Sequence, residues 1–209
     1  IMMNSVGDRR DLTIVGDVSQ KILFSRKFIG WENILDNLGI KKDTLIKLEV
    51  SFRCTVPIMN LARKVEGHKD PVSFGRPGSP VIWHRAVDQN DFLETLADWV
   101  NGLMEKDPYK LIALICRYPK QAMELKDELE RMISCEVRIG HRDQFSFEPG
   151  VIISNIHQIK GLEFDAVALI NPSEEFYPSK NIESRNMIYV GITRAQEDLL
   201  VIGTNSFSK

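Results

Sequence analysis

The sequence predicts an α/β fold with a mainly parallel sheet, and two observations lead to that prediction. Short apolar runs alternate along the chain with segments whose apolar residues repeat at helical spacing, an order typical of βαβ units. The composition, with 43% hydrophobic and 27% charged residues, fits a globular α/β protein and disfavours a disordered one. The 209 residues are enough for one domain, or for one domain with an appendage.

The first 80 residues predict two strands, one helix and a loop. Leu12–Val15 form an apolar run that ends at a glycine, and Leu45–Val50 form a second strand candidate. Thr55 precedes a segment whose apolar residues share one helical face, and we expect its side chain to cap that helix. Residues 66–80 are rich in glycine and proline and predict a loop.

The rest of the chain continues the alternation of strands and helices. Strands are predicted at Val81–His84, at Leu111–Cys116, around Val137 and Ile139, and at residues 151–154 and 166–170. Helices are predicted over residues 92–104 and 122–133 and before the segment YVGITRA. The run Leu111–Cys116 is the most apolar, so we expect it to be a central strand. A polar loop is expected from Gly140 to Gly150.

Charge, cysteine content and hydropathy exclude several classes of protein. The formal net charge of −2 gives no overall attraction to nucleic acid, so any contact with DNA needs a local cluster of cations. Cys54, Cys116 and Cys135 lack the paired spacing of a zinc site or a disulfide framework, and we interpret them as core or near-core thiols with no metal site. Neither a membrane span nor a signal peptide is evident, which predicts a cytoplasmic protein.

Four segments carry a resemblance to a known family. They are VGDVSQKI at residues 15–22, LEVSFRCTVPIMNLA at 48–62, KGLEFD at 160–165 and YVGITRA at 189–195. In this order they resemble motifs III, IV, V and VI of the UvrD/Rep-type superfamily 1 DNA helicases. The resemblance implies a RecA-like three-layer sandwich. The short interval between Val137 and Val151 is typical of compact members that lack the large helical insertion.

The chain resembles only one half of such an enzyme. It contains no GxxxxGK[ST] segment, so it lacks the P-loop that holds the β- and γ-phosphates, and no acidic magnesium motif precedes motif III. We therefore expect the C-terminal part of a longer, nucleoid-associated helicase. Residues 1–40 would be a remnant of the first RecA-like domain with motif III, and residues 41–209 the second RecA-like domain.

The resemblance assigns three residues to the chemistry of ATP. Arg194 matches the arginine finger of motif VI, Arg53 matches a second γ-phosphate contact in motif IV, and Gln20 matches the glutamine that orients the attacking water in motif III. An always charged, planar guanidinium can bind two phosphate oxygens at once. The alternative for Arg194 is a surface arginine at a helix end. Gln196 stands where the family often has a second cation.

Four further residues match the nucleotide contacts of the family. Phe52 matches the aromatic that stacks on adenine, with a core aromatic as the alternative. Gly161 would let the backbone approach the nucleotide, and Glu163 would accept a hydrogen bond from a ribose hydroxyl unless it is a solvated acid. Lys160 lies near phosphate or is simply solvated. We expect Phe52 and Arg53 at the carboxyl edge of the sheet, where ligands of parallel α/β folds bind.

Three residues match contacts with single-stranded DNA. Asn155 and His157 stand where the family contacts the DNA backbone, and Asn155 replaces a common threonine. A structural histidine is the alternative for His157. Trp31 follows motif III, where aromatics stack on unpaired bases, and a core position is its alternative.

The resemblance implies ATP-dependent translocation along single-stranded DNA with unwinding of duplex DNA. The cofactors would be ATP and Mg²⁺, held mainly by the absent N-terminal half, and the partners single-stranded DNA, ss/ds junctions and the N-terminal RecA-like domain, with no membrane. This chain alone should not hydrolyse ATP. The alternatives are a non-catalytic nucleic-acid or protein-binding module, and an ATP-driven translocase that remodels a protein complex such as RNA polymerase. A dinucleotide-binding domain is disfavoured because no GxGxxG is present.

Overall fold

The computed structural model describes most of the chain. The described residues are 13–17, 20–22, 30–41, 45–46, 48, 51–72, 74–141, 145–205 and 207. None of the helices within these residues combines the length and the apolarity needed to cross a membrane.

The described residues form five helices and six strands. The helices are α1 (Trp31–Leu38), α2 (Val56–Val65), α3 (Gln89–Lys106), α4 (Pro119–Leu129) and α5 (Ile182–Ile192). The strands are β1 (Ile82–Arg85), β2 (Leu111–Cys116), β3 (Val137–Ile139), β4 (Gly150–Asn155), β5 (Phe164–Ile170) and β6 (Ala195–Gly203). Every strand predicted beyond residue 80 is present, and each predicted helix of that part is present too.

All six strands belong to one sheet in the order β1-β6-β5-β2-β4-β3. Each neighbouring pair is parallel, so the predicted α/β class with a mainly parallel sheet is confirmed. Strand β2 pairs with both β4 and β5 and is fully buried, as its apolar run predicts for a strand covered on both faces.

Helices cover the sheet on both faces, which gives three layers. One core packs α3 and α4 against alternate strand residues, including Ile112 and Leu114 of β2. The other core packs α2 and α5 against the intervening residues, including Ala113 and Ile115. Successive side chains of a strand point to opposite faces, so each interior strand contributes to both cores.

Two predicted strands near the N-terminus are wrong in the residues that are described. Residues 13–17 and Leu45, Ile46 and Leu48 have no strand structure; Leu12, Lys47, Glu49 and Val50 lie outside the described residues. Val15 and Leu48 are 85% and 86% exposed. An apolar run forms a strand only where a neighbouring strand can pair with its backbone and cover its side chains.

Three further features differ from the expectations. Strand β6 and helix α1 had no prediction, although β6 contains the apolar run LLVI at residues 199–202. Thr55 occupies the N-cap position of α2, but its side chain makes no capping hydrogen bond. Instead, the Thr55 side chain packs closely against Gly78.

The connection between β4 and β5 runs from the carboxyl ends of the strands (the carboxyl edge) to their amino ends (the amino edge). Strand β4 ends at Asn155 on the carboxyl edge, and β5 begins at Phe164 on the amino edge. Between them, Ile156 and Ile159 are buried in the α2/α5 core. Strands rise about 3.3 Å per residue, so the connection, which contains the segment that resembles motif V, spans roughly 20 Å from the carboxyl ends of the strands to their amino ends.

Candidate nucleotide and nucleic-acid sites

A cluster of three residues lies at the amino edge of the sheet: Arg53, Glu163 and Gln196. It is called the amino-edge cluster below. The Arg53 Nη2 lies 2.7 Å from Glu163 Oε1, with both side chains partly exposed. Gln196 Nε2 donates to Glu163 Oε2 at 3.0 Å. Both oxygens of the Glu163 carboxylate are therefore engaged by donors of the protein in this structure.

Strand pairing fixes the position of Glu163. The Phe164 N–H donates to the Arg194 carbonyl at 3.0 Å, and Phe164 pairs with Ala195 at the start of β6. Just before it, Gly161 has a φ of +90° and open space where a side chain would begin. A positive φ favours glycine, and the backbone at Gly161 is exposed.

Arg194 lies beneath the amino-edge cluster, and its side chain is turned inward. The residue is 1% exposed. Its Nε donates to the Val190 carbonyl at 3.1 Å and its Nη1 to the Leu162 carbonyl at 3.0 Å. Arg194 is therefore not a surface arginine. It binds a carbonyl in the last turn of α5, where a cation is favourable, and it joins that helix to the motif V segment.

Burial and like charge both act on Arg194. Desolvation lowers the pKa of its guanidinium, and the nearby Arg53 lowers it further. Burial also raises the pKa of the Cys54 thiol to about 11, against the opposing influence of Arg53 and Arg194. Cys54 is therefore a neutral core thiol in this electropositive setting.

Phe52 presents its ring beside the amino-edge cluster. The residue is 66% exposed, so the alternative of a core aromatic is wrong. Its ring meets Phe74 edge to face, with centroids 6.1 Å apart. Exposed aromatic faces of this kind are suited to stacking on a flat ligand.

The predicted edge for these residues is wrong. Phe52 and Arg53 do not follow a described strand, and Arg53 contacts Glu163 immediately before β5. Phe52 and Arg53 therefore lie at the amino edge of the sheet rather than the carboxyl edge. The expectation failed because it depended on a strand over Leu45–Val50.

Two of the three DNA candidates, Asn155 and His157, lie at the opposite, carboxyl edge. Asn155 is 6% exposed, and its Oδ1 accepts a hydrogen bond from the His157 N–H at 3.1 Å. The amide of Asn155 therefore shapes the turn after β4. His157 is exposed, which argues against a buried structural histidine. Partial burial and the neighbouring Arg117 lower the pKa of its imidazole.

Arg117 is a candidate that sequence reasoning missed. It follows β2 directly, and its Nη1 lies 3.5 Å from His157 Nε2. Its guanidinium lies over the rings of Tyr118 and Tyr177, 4.8 Å and 5.7 Å from their centroids. A cation next to an exposed aromatic, immediately after the most apolar run in the sequence, is the signal that could have identified it.

A third group lines a pocket of about 270 Å³ between the motif III segment and the motif V segment. Gln20, Trp31 and Lys160 all border this pocket. The Gln20 amide donates to the Asp17 carboxylate at 2.9 Å, and Trp31 is the half-buried first residue of α1. Nearby, the Asn186 amide donates to the Lys21 carbonyl at 2.8 Å, which ties the motif III segment to α5.

The C-terminal part of the chain matches a known family. Residues 134–206, which include β4, β5, α5 and β6, match the model of the UvrD-like helicase C-terminal domain. Together with the relatives below, this match supports a UvrD/Rep-type helicase C-terminal domain over these residues. The candidates Asn155, His157, Glu163 and Arg194 lie inside the matched range, whereas Arg53 precedes it.

The curated relatives that this chain matches are much longer proteins. The chain is 31% identical over 122 residues to the ATP-dependent DNA helicase Rep of Escherichia coli K12, covering 55% of this chain and 16% of that protein. It is 28% identical over 131 residues to the ATP-dependent DNA helicase PcrA of Leuconostoc citreum, covering 58% of this chain and 16% of that protein. For the probable DNA helicase II homolog of Rickettsia felis, the identity is 25% over 189 residues, covering 84% of this chain and 28% of that protein. The chain thus spans between 16% and 28% of the length of these relatives.

The three-layer fold also has a solved counterpart. The crystal structure of the C-terminal domain of a possible DNA helicase from Lactobacillus plantarum WCFS1 aligns with a TM-score of 0.60 and 20% sequence identity. The alignment covers 76% of this chain and 91% of that one. At this identity the match supports the fold alone, and the predicted RecA-like three-layer α/β fold is confirmed.

Proposed function

We propose that this helicase domain supplies one half of an ATP site in a DNA helicase that moves along single-stranded DNA and unwinds duplex DNA. The observation that carries the proposal is the amino-edge cluster. There, a partly exposed arginine and a carboxylate stand side by side next to an exposed aromatic ring. This combination offers contacts for a phosphate, a sugar hydroxyl and a base.

In this proposal each of the three side chains contacts one part of the nucleotide. The Phe52 ring is exposed for stacking on adenine, Glu163 accepts a hydrogen bond from a ribose hydroxyl, and Arg53 reaches toward the γ-phosphate. Because Arg53 and Glu163 now bind each other at 2.7 Å, nucleotide binding exchanges this ion pair for contacts to the ligand. Mg²⁺ would enter with ATP on the other RecA-like half and neutralise phosphate charge.

Arg194 contributes in two ways in this proposal. Its buried cation adds positive potential beneath the amino-edge cluster, and its bonds to Val190 and Leu162 hold motif V against α5. To act as an arginine finger, its guanidinium would leave these carbonyls when the two halves close on ATP. Closure driven by ligand contacts is a common form of coupling.

The carboxyl edge would bind the DNA strand. Arg117 and His157 would contact phosphates, and Trp31 beside the 270 Å³ pocket would stack on a base. The motif V segment leads from His157 at one edge to Glu163 at the other. Movement of this one segment would therefore couple the state of the nucleotide to the grip on DNA.

The test uses the full-length protein that carries this domain. Arg53→Ala should lower the DNA-stimulated ATPase rate by on the order of 10² to 10³, as expected for the loss of a γ-phosphate cation, while binding to single-stranded DNA is retained. The control is Arg131→Ala, which removes an exposed arginine just after α4, in the layer opposite the cluster. Unchanged ATP turnover in Arg53→Ala would remove the amino-edge cluster from the mechanism.

Two further measurements separate the proposal from its rivals. The 209-residue chain alone should show no ATPase activity above background, because it contains no P-loop. In the full-length protein, strand displacement assayed beside release of stalled RNA polymerase separates a helicase from a remodelling translocase. A protein that lacks ATPase activity altogether would be a binding module.

A further inference from the structure

A short segment of the 66–80 loop packs against the residues that form the amino-edge cluster. Residues 74–78, here called the strap, read FGRPG. Arg76 forms a parallel β-bridge with Thr55, and the Val56 N–H donates to the Arg76 carbonyl at 2.7 Å. The strap therefore runs alongside the backbone that leads from Arg53 into α2.

The fit between the strap and this backbone is tight. A methyl group added at Gly78 would overlap the Thr55 side chain, and one added at Gly75 would lie 3.0 Å from Val56 Cγ2. The Phe74 ring meets the Phe52 ring edge to face. The strap thus contacts the backbone before α2 at several points, one of them the predicted adenine-stacking residue.

The Arg76 side chain joins two parts of the amino-edge cluster through their backbones. Its Nη2 donates to the Arg53 carbonyl at 3.1 Å and to the Gln196 carbonyl at 2.6 Å. The Gln196 carbonyl also accepts from the Thr55 N–H at 3.2 Å. These bonds fix the distance between the segment before α2 and the start of β6.

Charge and geometry account for an arginine at this position. The Arg76 Nη1 lies 3.7 Å from Glu197 Oε1, so the fork of the guanidinium faces a carboxylate on one side and two carbonyls on the other. A planar, multiply donating guanidinium fits this arrangement, whereas lysine has a single ammonium group. No bond joins Arg76 to Glu163 among the described contacts, so its influence on the cluster passes through the backbone.

We propose that Arg76 is a positioning residue for the nucleotide site. It holds the main chain at Arg53 and Gln196, and so places their side chains on the two oxygens of Glu163. This inference rests on the function proposed above, in which Arg53 meets the γ-phosphate. A small displacement of a phosphate-binding side chain is costly because productive contacts depend on position.

The experiment is a double-mutant cycle in the full-length protein, measured as the kcat of the DNA-stimulated ATPase. Arg76→Ala should lower kcat by about tenfold, since a misplacement of about 1 Å can cost up to about a hundredfold. In an Arg53→Ala background, the same change should lower kcat by less than about twofold, because the side chain that it positions is gone. Titration with single-stranded DNA gives the concentration of folded protein, to which each rate is normalised.

Matched variants guard against a general loss of structure. Arg63→Ala removes an arginine of α2 that donates to a single carbonyl, that of Asp70, and it should leave kcat unchanged within about twofold. Arg76→Lys is the milder variant if Arg76→Ala does not fold. It should lower kcat less than alanine does, and this loss should also disappear in the Arg53→Ala background.

The outcomes separate this inference from the proposed function. Equal fold losses for Arg76→Ala in both backgrounds, or no loss in either, would overturn the positioning role and leave the proposed function standing. If Arg53→Ala itself does not change kcat, the proposed function fails, and the positioning role fails with it.

Discussion

Replacement of Arg194 by methionine tests the inward orientation of this buried arginine. Methionine keeps an unbranched side chain but removes the charge and every donor. In the structure, Arg194 supplies the Leu162 carbonyl with a donor at 3.0 Å and shares the Val190 carbonyl with the Thr193 hydroxyl, which donates to it at 3.3 Å. The substitution therefore leaves one carbonyl without this donor and weakens the bonding of a second.

The expected loss of stability follows from these two carbonyls. An unsatisfied buried acceptor costs about 1–3 kcal/mol, and the weakened bond at Val190 adds part of that amount. Removal of a buried cation offsets some of the loss, because its desolvation is no longer required. The net destabilisation is expected to be about 2–4 kcal/mol, which corresponds to a fall in Tm of roughly 5–15 °C for a domain of this size.

Urea unfolding of the 209-residue chain, followed by tryptophan fluorescence, measures the change. Arg131→Met, at an exposed position, is the matched control and should alter the free energy of unfolding by less than about 0.5 kcal/mol. If Arg194→Met is equally mild, the reasoning is refuted, and the Arg194 side chain must then be free of these carbonyls.

The same variant in the full-length protein separates the two roles of Arg194. Loss of an arginine finger is expected to lower the ATPase rate by on the order of 10³, measured at a temperature at which the variant stays folded. A destabilised variant with normal turnover would assign Arg194 to the fold alone.

Two further predictions concern stability. Gly78→Ala should destabilise the chain by about 1–3 kcal/mol because its methyl group would overlap Thr55. Gly102→Ala lies in the interior of α3 with open space around it and should stabilise the chain by about 0.5–1 kcal/mol. Chemical unfolding measures both, and equal effects would contradict the close contact between Gly78 and Thr55. Hydrogen bonding from the Val87 N–H lowers the pKa of Asp91, so its contribution to stability is present above the ordinary pKa of 3.8 and is lost as the pH falls through the lower folded value. Asp91→Asn should reduce the fall in the free energy of unfolding at acid pH. Parallel curves of the free energy of unfolding against pH for the two proteins would exclude this contribution of Asp91.

Beyond residue 80, every strand except β6 and every helix was predicted, because local pattern and tertiary context agree there. The run Leu111–Cys116 is apolar throughout, and it lies between two other strands with helices on both faces. The run Leu45–Val50 alternates apolar residues with Lys47 and Glu49, and its described residues form no strand. Apolar character alone does not supply the neighbouring backbone that a strand requires.

The candidate site was predictable in its residues but not in its geometry. Arg53, Glu163 and Arg194 were identified by their motifs, and the structure places all three near one edge of the sheet. That edge is opposite to the expected one, and Arg194 faces the protein interior. The contacts of Arg117 with His157 and of Arg76 with Arg53 join residues 40 and 23 positions apart, and no local pattern marks such pairs.

The sequence by itself indicated the resemblance to a helicase family, the parallel α/β class and the residue types available for nucleotide and DNA. These depend on short motifs and on hydrophobic periodicity, which are local properties of the chain. The tertiary structure decided which residues meet. It closed Glu163 between Arg53 and Gln196, turned Arg194 inward and brought the strap against the amino-edge cluster. Those contacts depend on the order of strands in the sheet and on the path of the loops, which only the packing of the whole domain fixes.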